Sequence, residues 1–206
     1  MYVLVDACEE SNTSAELAKI CLESYIKRPS VKKQAINMIG NFMNNMAIAK
    51  RRPQHWLRQD AVALFTKGRK ARWLISGAAN AFLFSEGALY KASQDKENAR
   101  FGDHPIFEAV LEPEITLPAA QNAIFLCTDS FLEQVPVDIL EQSLREADNA
   151  HIWMQTILEH CESMPEGSAL AAMLPQKKRI PLWIVFLLLA LLILAVGISL
   201  HMHGWI

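Results

Sequence analysis

Two adjacent apolar stretches decide the fold: Ala71-Arg72-Trp73-Leu74-Ile75-Ser76-Gly77 and Asn80-Ala81-Phe82-Leu83-Phe84. Short apolar runs bounded by turn residues are typical of buried strands. Residues 61–65 precede these stretches and residues 88–91 follow them, each across a turn that contains a glycine. Closely spaced turns of this kind favour hairpins. We therefore predict one antiparallel sheet over residues 61–91.

The segments on either side of this region alternate between strand-like and helical patterns. We predict buried strands at residues 2–5 and 122–127, helices that end before Pro29 and Pro53, helices at 132–144 and 150–161, and either a short strand or a linker at 163–176. Helix pairs that flank antiparallel strands indicate an α+β layered domain.

The part of the chain before position 177 is mildly acidic. The 206 residues include 20 Lys and Arg and 22 Asp and Glu. Residues 177–179 hold three of the basic residues and no charged residue follows them, so the preceding part carries 17 basic and 22 acidic residues, a net charge of −5. Affinity for nucleic acid comes largely from neutralised phosphates, and this charge therefore argues against a nucleic-acid partner.

Residues 181–200 contain no charged side chain. About 20 apolar residues in a helix span the roughly 30 Å hydrocarbon core of a bilayer. Basic residues favour the cytoplasmic side and tryptophans favour the interfaces. The expected anchor residues are Lys177, Lys178, Arg179, Trp183 and Trp205. We predict a single-pass transmembrane helix in contact with lipid, with most of the chain cytoplasmic.

This reading divides the chain into four parts. We predict a cytoplasmic domain at residues 1–173, a basic juxtamembrane linker at 174–180, the transmembrane helix at 181–200 and a short external tail at 201–206.

Two of the predicted buried strands are followed by an aspartate, namely Asp6 and Asp129. Acidic side chains at rigid strand ends can converge on one cation, and Mg²⁺ and Mn²⁺ prefer such oxygen ligands. Aspartates at strand ends also commonly cap loops. The pattern therefore indicates a metal site only in combination with further motifs.

Further motifs occur in a fixed order along the chain. The first motif is a predicted strand that ends in an acid, Tyr2-Val3-Leu4-Val5-Asp6-Ala7. The second comprises the two central apolar stretches, residues 73–84, and the segment that continues them, residues 86–95. The third is a late strand followed by an acid, Ile124-Phe125-Leu126-Cys127-Thr128-Asp129-Ser130. In this order they resemble motifs of the bacterial PPM (type 2C) metal-dependent serine/threonine phosphatases. The resemblance covers residues 1 to about 173. It implies a β-sandwich flanked by helices.

The family's chemistry requires two metal ions that are held by several carboxylates and that activate a bridging water. The resemblance matches Asp6 with the bridging aspartate and Asp129 with the aspartate after the late strand. The sequence departs from the family's glycines, acid and arginine at four positions: Ala7, Ala78, Asn80 and Ser130. No segment matches the family's N-terminal strand with its phosphate-binding arginine, so the resemblance is to a degenerate, incomplete member.

The family's closing strand begins with Asp-Asn, and two segments of this chain compete for that position. Asp148-Asn149 has the residues but precedes a helical pattern, whereas residues 167–173 fit the strand and lack both residues. We favour the second segment, which removes another metal ligand. Asp148 remains a weaker candidate ligand beside Asp6 and Asp129.

The leading hypothesis is a membrane-tethered pseudophosphatase that binds or regulates a protein partner and needs no metal cofactor. The alternative is an active, divergent phosphatase with Mg²⁺ or Mn²⁺ held by Asp6, Asp129 and either Asp148 or Asp103. A third reading is a structural membrane protein whose resemblance is accidental.

Overall fold

The structure, a computed structural model, describes residues 1–7, 13–49, 59–85, 88–91, 99–104, 110–118, 122–161, 163 and 165–174, and residues 184, 186–187, 189–193 and 195–196 further on. The chain forms two compact units, Met1–Pro175 and Gln176–Ile206.

The first unit alternates strands with pairs of helices. In chain order its elements are β1 (Tyr2–Ala7), α1 (Thr13–Lys27), α2 (Lys33–Ala49), β2 (Gln59–Lys67), β3 (Lys70–Ser76), β4 (Ala79–Ser85), β5 (Ala88–Lys91), β6 (Val110–Leu111), β7 (Ile115–Thr116), β8 (Asn122–Thr128), α3 (Asp129–Leu132), α4 (Val137–Glu146), α5 (Ala150–Glu159) and β9 (Ala169–Leu174).

Within the described part of this unit, the strands form two antiparallel sheets. Sheet A has the order β1-β2-β3-β6, with β7 also paired to β3, and sheet B has the order β5-β4-β8-β9. All of these pairs are antiparallel. The predicted α+β class and the β-sandwich are thereby confirmed.

Alternation of side chains along β2 shows how the layers stack. Ala61, Ala63 and Phe65 pack against α1 and α2, whereas Val62 and Leu64 lie in the core between the two sheets. Period-two alternation in a strand directs successive side chains to opposite faces. Sheet B packs its other face on α4 and α5 through a third core that contains Trp153. The layers therefore follow the order helix, sheet, sheet, helix.

The prediction of a single sheet over residues 61–91 is wrong. β2 pairs with β3 and β4 pairs with β5, but β3 belongs to sheet A and β4 to sheet B. Gly77 and Ala78 carry the chain from one sheet to the other. A turn signal marks the end of a strand and does not specify whether the next strand pairs with it or lies in the facing sheet.

The predicted helix at residues 132–144 is interrupted. α3 ends at Leu132 and α4 begins at Val137, directly after Pro136. Proline lacks an N–H group and disfavours helical geometry in the residue before it, so the helix restarts after it. Of the two readings for the last segment, the strand is confirmed, because β9 pairs with β8 along its whole length.

In the second unit, the described residues are helical. Among the residues that the structure describes, no helix has the length and the apolar character needed to cross a membrane. The predicted anchor residues Lys177, Lys178, Arg179, Trp183 and Trp205 lie outside the described residues.

Candidate functional site

A cavity of about 280 Å³ is lined by residues from the ends of three strands (β1, β2 and β8), from the turn between β3 and β4, from the loop that carries Arg100, and from α3. Its lining residues come from both sheets and are mostly polar: Asp6, Asp60, Ala78, Arg100, Thr128, Asp129 and Ser130.

The strand register explains why the acidic side chains meet here. β1 ends where β2 begins, and the antiparallel register places Asp6 directly opposite Asp60. In sheet B, the beginning of β4 pairs with the end of β8, with Ala79 opposite Thr128. Asp129 follows β8 directly, and its backbone N–H donates to the Ala78 carbonyl at 3.1 Å. The acidic side chains at these strand ends therefore lie in one cavity.

Asp60 forms an ion pair inside the cavity. Its Oδ1 accepts from Arg100 Nε at 2.6 Å and from the Ala78 backbone N–H at 3.1 Å. The Asp60 side chain is 14% exposed and the Arg100 side chain 33%. The contact to a guanidinium offsets part of the charge of this carboxylate and fixes its orientation.

Gly77 makes room for this ion pair. It has a positive φ of 66°, and a Cβ built on it would collide with Asp60 Oδ1 and with Arg100 Cγ. Glycine adopts positive φ without a steric penalty and adds no side chain. The residue that carries the chain between the sheets is thus also the residue that lets the carboxylate approach the backbone.

Arg100 lies on a loop that is tied to the ends of β2 and β3. The Gln59 N–H donates to the Phe101 carbonyl at 3.1 Å, and the Phe101 N–H donates to Ser76 Oγ at 2.9 Å. The Phe101 side chain is fully buried. Arg100 is therefore attached directly beside the strand that carries its partner Asp60.

Asn44 on α2 holds the other end of the same loop. Its side chain is 1% exposed. Its Oδ1 accepts from the Gly102 N–H at 2.9 Å, and its Nδ2 donates to the His104 carbonyl at 3.1 Å. This buried amide satisfies two backbone groups that would otherwise lose their hydrogen bonds on burial.

Asp129 also has an internal partner. Asn80, on β4, is 5% exposed and donates from Nδ2 to Asp129 Oδ1. The neighbouring hydroxyls of Thr128 and Ser130 lie 3.1 Å apart, and the Ser168 N–H donates to Thr128 Oγ1 at 3.1 Å. The Asp129 side of the cavity is therefore lined by hydroxyls and an amide.

Asp6 differs from the other two acids. Within the described residues it has no ion-pair or hydrogen-bond partner for its carboxylate, although it lines the same cavity. It is partly buried at the end of β1. Of the acidic side chains in the described part of the lining, this carboxylate alone is open.

These side chains do not fit a pair of divalent ions. Asp60 already engages Arg100, Asp129 engages Asn80, and position 78 carries a methyl group. Mg²⁺ requires near-octahedral oxygen coordination. Across the described part of the chain, no group of three or more His, Cys, Asp or Glu side chains is arranged to hold a metal ion.

Of the sequence-predicted ligands, the structure brings Asp6 and Asp129 into one cavity. Asp148 is not among the residues that line it. Asp148 is exposed in the turn before α5, where Asn149 caps the helix by accepting from the His151 and Ile152 N–H groups at 3.0 Å.

Sequence reasoning missed Asp60 and Arg100. Asp60 could have been found, because it directly precedes the predicted strand at residues 61–65, and in an antiparallel pair the start of one strand lies opposite the end of the other. No local sequence pattern identifies Arg100, because its contact with Asp60 joins residues that are 40 positions apart.

No protein-family model matches the chain, and no curated protein matches it by sequence. Solved structures do match. A bacterial serine phosphatase superposes with a TM-score of 0.69 at 10% identity, covering 86% of this chain and 87% of that chain. The catalytic domain of the serine/threonine phosphatase PstP, in complex with two manganese ions, gives 0.66 at 13% identity, covering 84% and 87%.

A third similar structure is PppA, described as a key regulatory component of T6SS in Pseudomonas aeruginosa. It gives a TM-score of 0.61 at 13% identity and covers 83% of this chain and 84% of that chain. The similar structures include one described as a PPM Ser-Thr phosphatase, and together they show that the chain has the PPM-type phosphatase fold.

Proposed function

We propose that this chain is a membrane-tethered pseudophosphatase, a PPM-type domain that binds or regulates a protein partner and does not hydrolyse phosphate esters. One observation carries the proposal: Asp60 and Asp129, two of the three acids that the structure describes in the cavity, are engaged by Arg100 and Asn80. Carboxylates that are occupied by internal donors have fewer oxygens to offer a metal ion.

The chemical argument concerns the metal-bound water. A dinuclear site lowers the pKa of a bound water and clamps the transferred phosphoryl group between two ions. Here the Ala78 side chain offers no oxygen, and only Asp6 has an open carboxylate within the described lining. The loss of several ligands should slow turnover by many factors of ten, because each factor of ten corresponds to about 1.4 kcal/mol in the barrier.

The sequence supports the tether. Residues 181–200 carry no charge and follow the basic residues 177–179. The described residues in this stretch are helical, and several of their large apolar side chains are more than half exposed, with Phe186 at 65% and Ile193 at 64%. Lipid is a solvent in which such side chains are stable. We infer that residues 1–173 lie on the cytoplasmic side.

A tethered domain meets other membrane proteins at a raised effective concentration without any additional contact. A regulatory role is described for the similar structure PppA, and we propose a role of that kind here, with a protein partner at the membrane.

Hydrolysis of an aryl phosphate by the full chain in detergent, with and without Mn²⁺, tests the lost activity. We expect no Mn²⁺-dependent release of phosphate and no difference between the wild type and Asp6→Asn. Turnover that depends on Mn²⁺ and disappears in Asp6→Asn would establish the alternative, an active divergent phosphatase.

Charge substitutions test the tether. An arginine at the centre of a spanning helix costs about 2.5–3.5 kcal/mol on insertion scales, so Leu189→Arg with Leu192→Arg should move the chain out of the alkali-resistant membrane fraction. Ile26→Arg, at a position of α1 that is 72% exposed, is the matched control. Retention of the double variant in that fraction would exclude a membrane span.

A further inference from the structure

We propose that Arg100 is a built-in counter-cation of the cavity and that its guanidinium excludes divalent metal ions from Asp60. This inference rests on the proposed function, because it supplies the physical reason why the cavity is closed to the ions that a phosphatase of this fold requires. It concerns the side chains of this chain alone, and it is tested by metal binding as well as by activity.

The geometry of Asp60 makes the guanidinium and a metal ion mutually exclusive. Oδ1 already accepts from Arg100 Nε at 2.6 Å and from the Ala78 N–H at 3.1 Å. A cation bound to the same carboxylate would lie within a few ångströms of the guanidinium charge. Like charges at that distance repel strongly where burial limits screening. The 14% exposure of the Asp60 side chain places the pair in such surroundings.

The backbone of Arg100 is held in place beside Asp60, which keeps the guanidinium within reach of the carboxylate. The Arg100 N–H donates to Asp103 Oδ2 at 3.1 Å, and the Asp103 N–H returns a bond to the Arg100 carbonyl at 3.1 Å. Asn44 and Ser76 hold the next residues of the loop, and Phe101 is fully buried. The backbone of Arg100 is therefore anchored at the cavity.

The charge balance leads to the same conclusion. Among the described residues, the lining holds three carboxylates and one guanidinium, and Asn80 adds neutral donor N–H groups directed at Asp129. Two divalent ions beside Arg100 would place five positive charges against three negative ones. Without Arg100, the four positive charges of the same ions would be nearly balanced by the three negative charges of the carboxylates.

The test is a Mn²⁺ titration of the full chain in detergent, followed by the electron paramagnetic resonance signal of the free ion. It compares the wild type with Arg100→Gln, which removes the charge, and with Arg100→Lys, which keeps it. Arg145→Gln is the matched control, because it removes one guanidinium from the ion pair with Glu141 on α4, outside the cavity lining.

We expect Arg100→Gln to bind at least one Mn²⁺ about ten- to a hundredfold more tightly than the wild type, as removal of one like charge at close range implies. Arg100→Lys and Arg145→Gln should bind as the wild type does. Adding Asp60→Asn to Arg100→Gln should abolish the gain, because it removes the carboxylate that Arg100 had covered. Should Arg100→Gln fail to fold, Arg100→Met, which retains an apolar stem, takes its place.

Equal Mn²⁺ affinity of the wild type and Arg100→Gln overturns the inference. If both bind weakly and neither hydrolyses the aryl phosphate, only the role of Arg100 fails and the pseudophosphatase proposal stands. If the wild type binds Mn²⁺ tightly and turns over, both fail. A gain in Mn²⁺ affinity that also appears in Arg145→Gln would show that the affinity follows the net charge of the chain, and it would likewise contradict the role of Arg100.

Discussion

Asp6 and Asp60 lie directly opposite each other in the antiparallel pair of β1 and β2, and within the described residues only Asp60 has a counter-ion. Like charges at directly opposed positions destabilise a sheet. The arrangement therefore stores an unfavourable interaction at the edge of the cavity, and it shows that Arg100 compensates one member of an acidic pair.

Asp6→Asn should stabilise the fold. Removal of one of two opposed charges relieves a repulsion of about 0.2–1 kcal/mol, the range for cross-strand pairs. The free energy of unfolding of the full chain, measured by urea denaturation, should rise by this amount. Glu166→Gln, at an exposed position, removes the same charge elsewhere and should leave the stability unchanged. A loss of stability in Asp6→Asn would mean that this carboxylate binds a favourable partner.

Gly77→Ala should destabilise the chain much more than Gly68→Ala. Both glycines have positive φ, 66° and 64°, so each substitution carries a backbone cost of about 1–2 kcal/mol. A Cβ at Gly68 meets nothing within 4 Å, whereas one at Gly77 meets the Asp60 carboxylate and Arg100. We expect a further loss of about 1–3 kcal/mol at Gly77, as for overpacked sites.

The additional loss of stability at Gly77 should shrink when Asp60 is replaced by alanine, because one of the two groups in conflict, the Asp60 carboxylate, is then gone. Urea denaturation of the two single variants and the double variant measures this coupling. Additive effects would show that the ion pair does not fix the carboxylate against the turn.

Asn44→Ala should destabilise the chain by about 1–3 kcal/mol, the cost of leaving a buried hydrogen-bonding group without a partner. The Gly102 N–H and the His104 carbonyl both lose the bonds that the Asn44 side chain makes. Asn41→Ala on the same helix is the control, since Asn41 is exposed. Asn44→Ala should also loosen the loop that carries Arg100, and it should therefore give a weak gain in Mn²⁺ binding. Equal stability of the two variants would contradict the role of Asn44 in holding the loop.

The free energy of unfolding should fall at alkaline pH because the Cys21 thiol is buried. Burial raises the pKa of the Cys21 thiol from its ordinary value of 9.0 to about 12, and the nearby N-terminal ammonium opposes this in part. Between these values the unfolded chain has lost a proton that the folded chain keeps. The contribution of Cys21 is therefore fully present below pH 9.0 and is lost as the pH rises towards 12.

Urea denaturation across this range measures the loss. Cys21→Ala should show a shallower fall in the free energy of unfolding above pH 9.0 than the wild type does. Cys161→Ala is the control, because Cys161 is only partly buried and its removal leaves the contribution of Cys21 in place. Parallel curves for the wild type and Cys21→Ala would show that the thiol is more accessible than its burial implies.

Local patterns predicted several elements well, since they depend on neighbours in the chain. The strand at β8 and the helix at α5 follow from apolar runs and periodicity, and both are present. The two stretches on either side of residues 78–79 were also recognised as strands, but they were predicted to form a hairpin and instead belong to different sheets. Both strands are buried on most of their length, so the sequence contains no difference between a hairpin and a crossing to the facing sheet.

The candidate site was predicted in part for a similar reason. Asp6 and Asp129 each follow an apolar run, and the run itself draws attention to them. Arg100 stands in a segment without periodicity, and its role arises only when hydrogen bonds to β2, β3 and α2 bring it beside Asp60.

By itself, the order of residues determined most of the strands and helices, the missing acid at position 78 and the uncharged stretch at 181–200, because each of these is a property of a short segment. Tertiary structure alone decided which acids meet and which cation satisfies them. Asp60 and Arg100 are far apart along the chain, and only the packing of two sheets and a tied loop places their charges 2.6 Å apart.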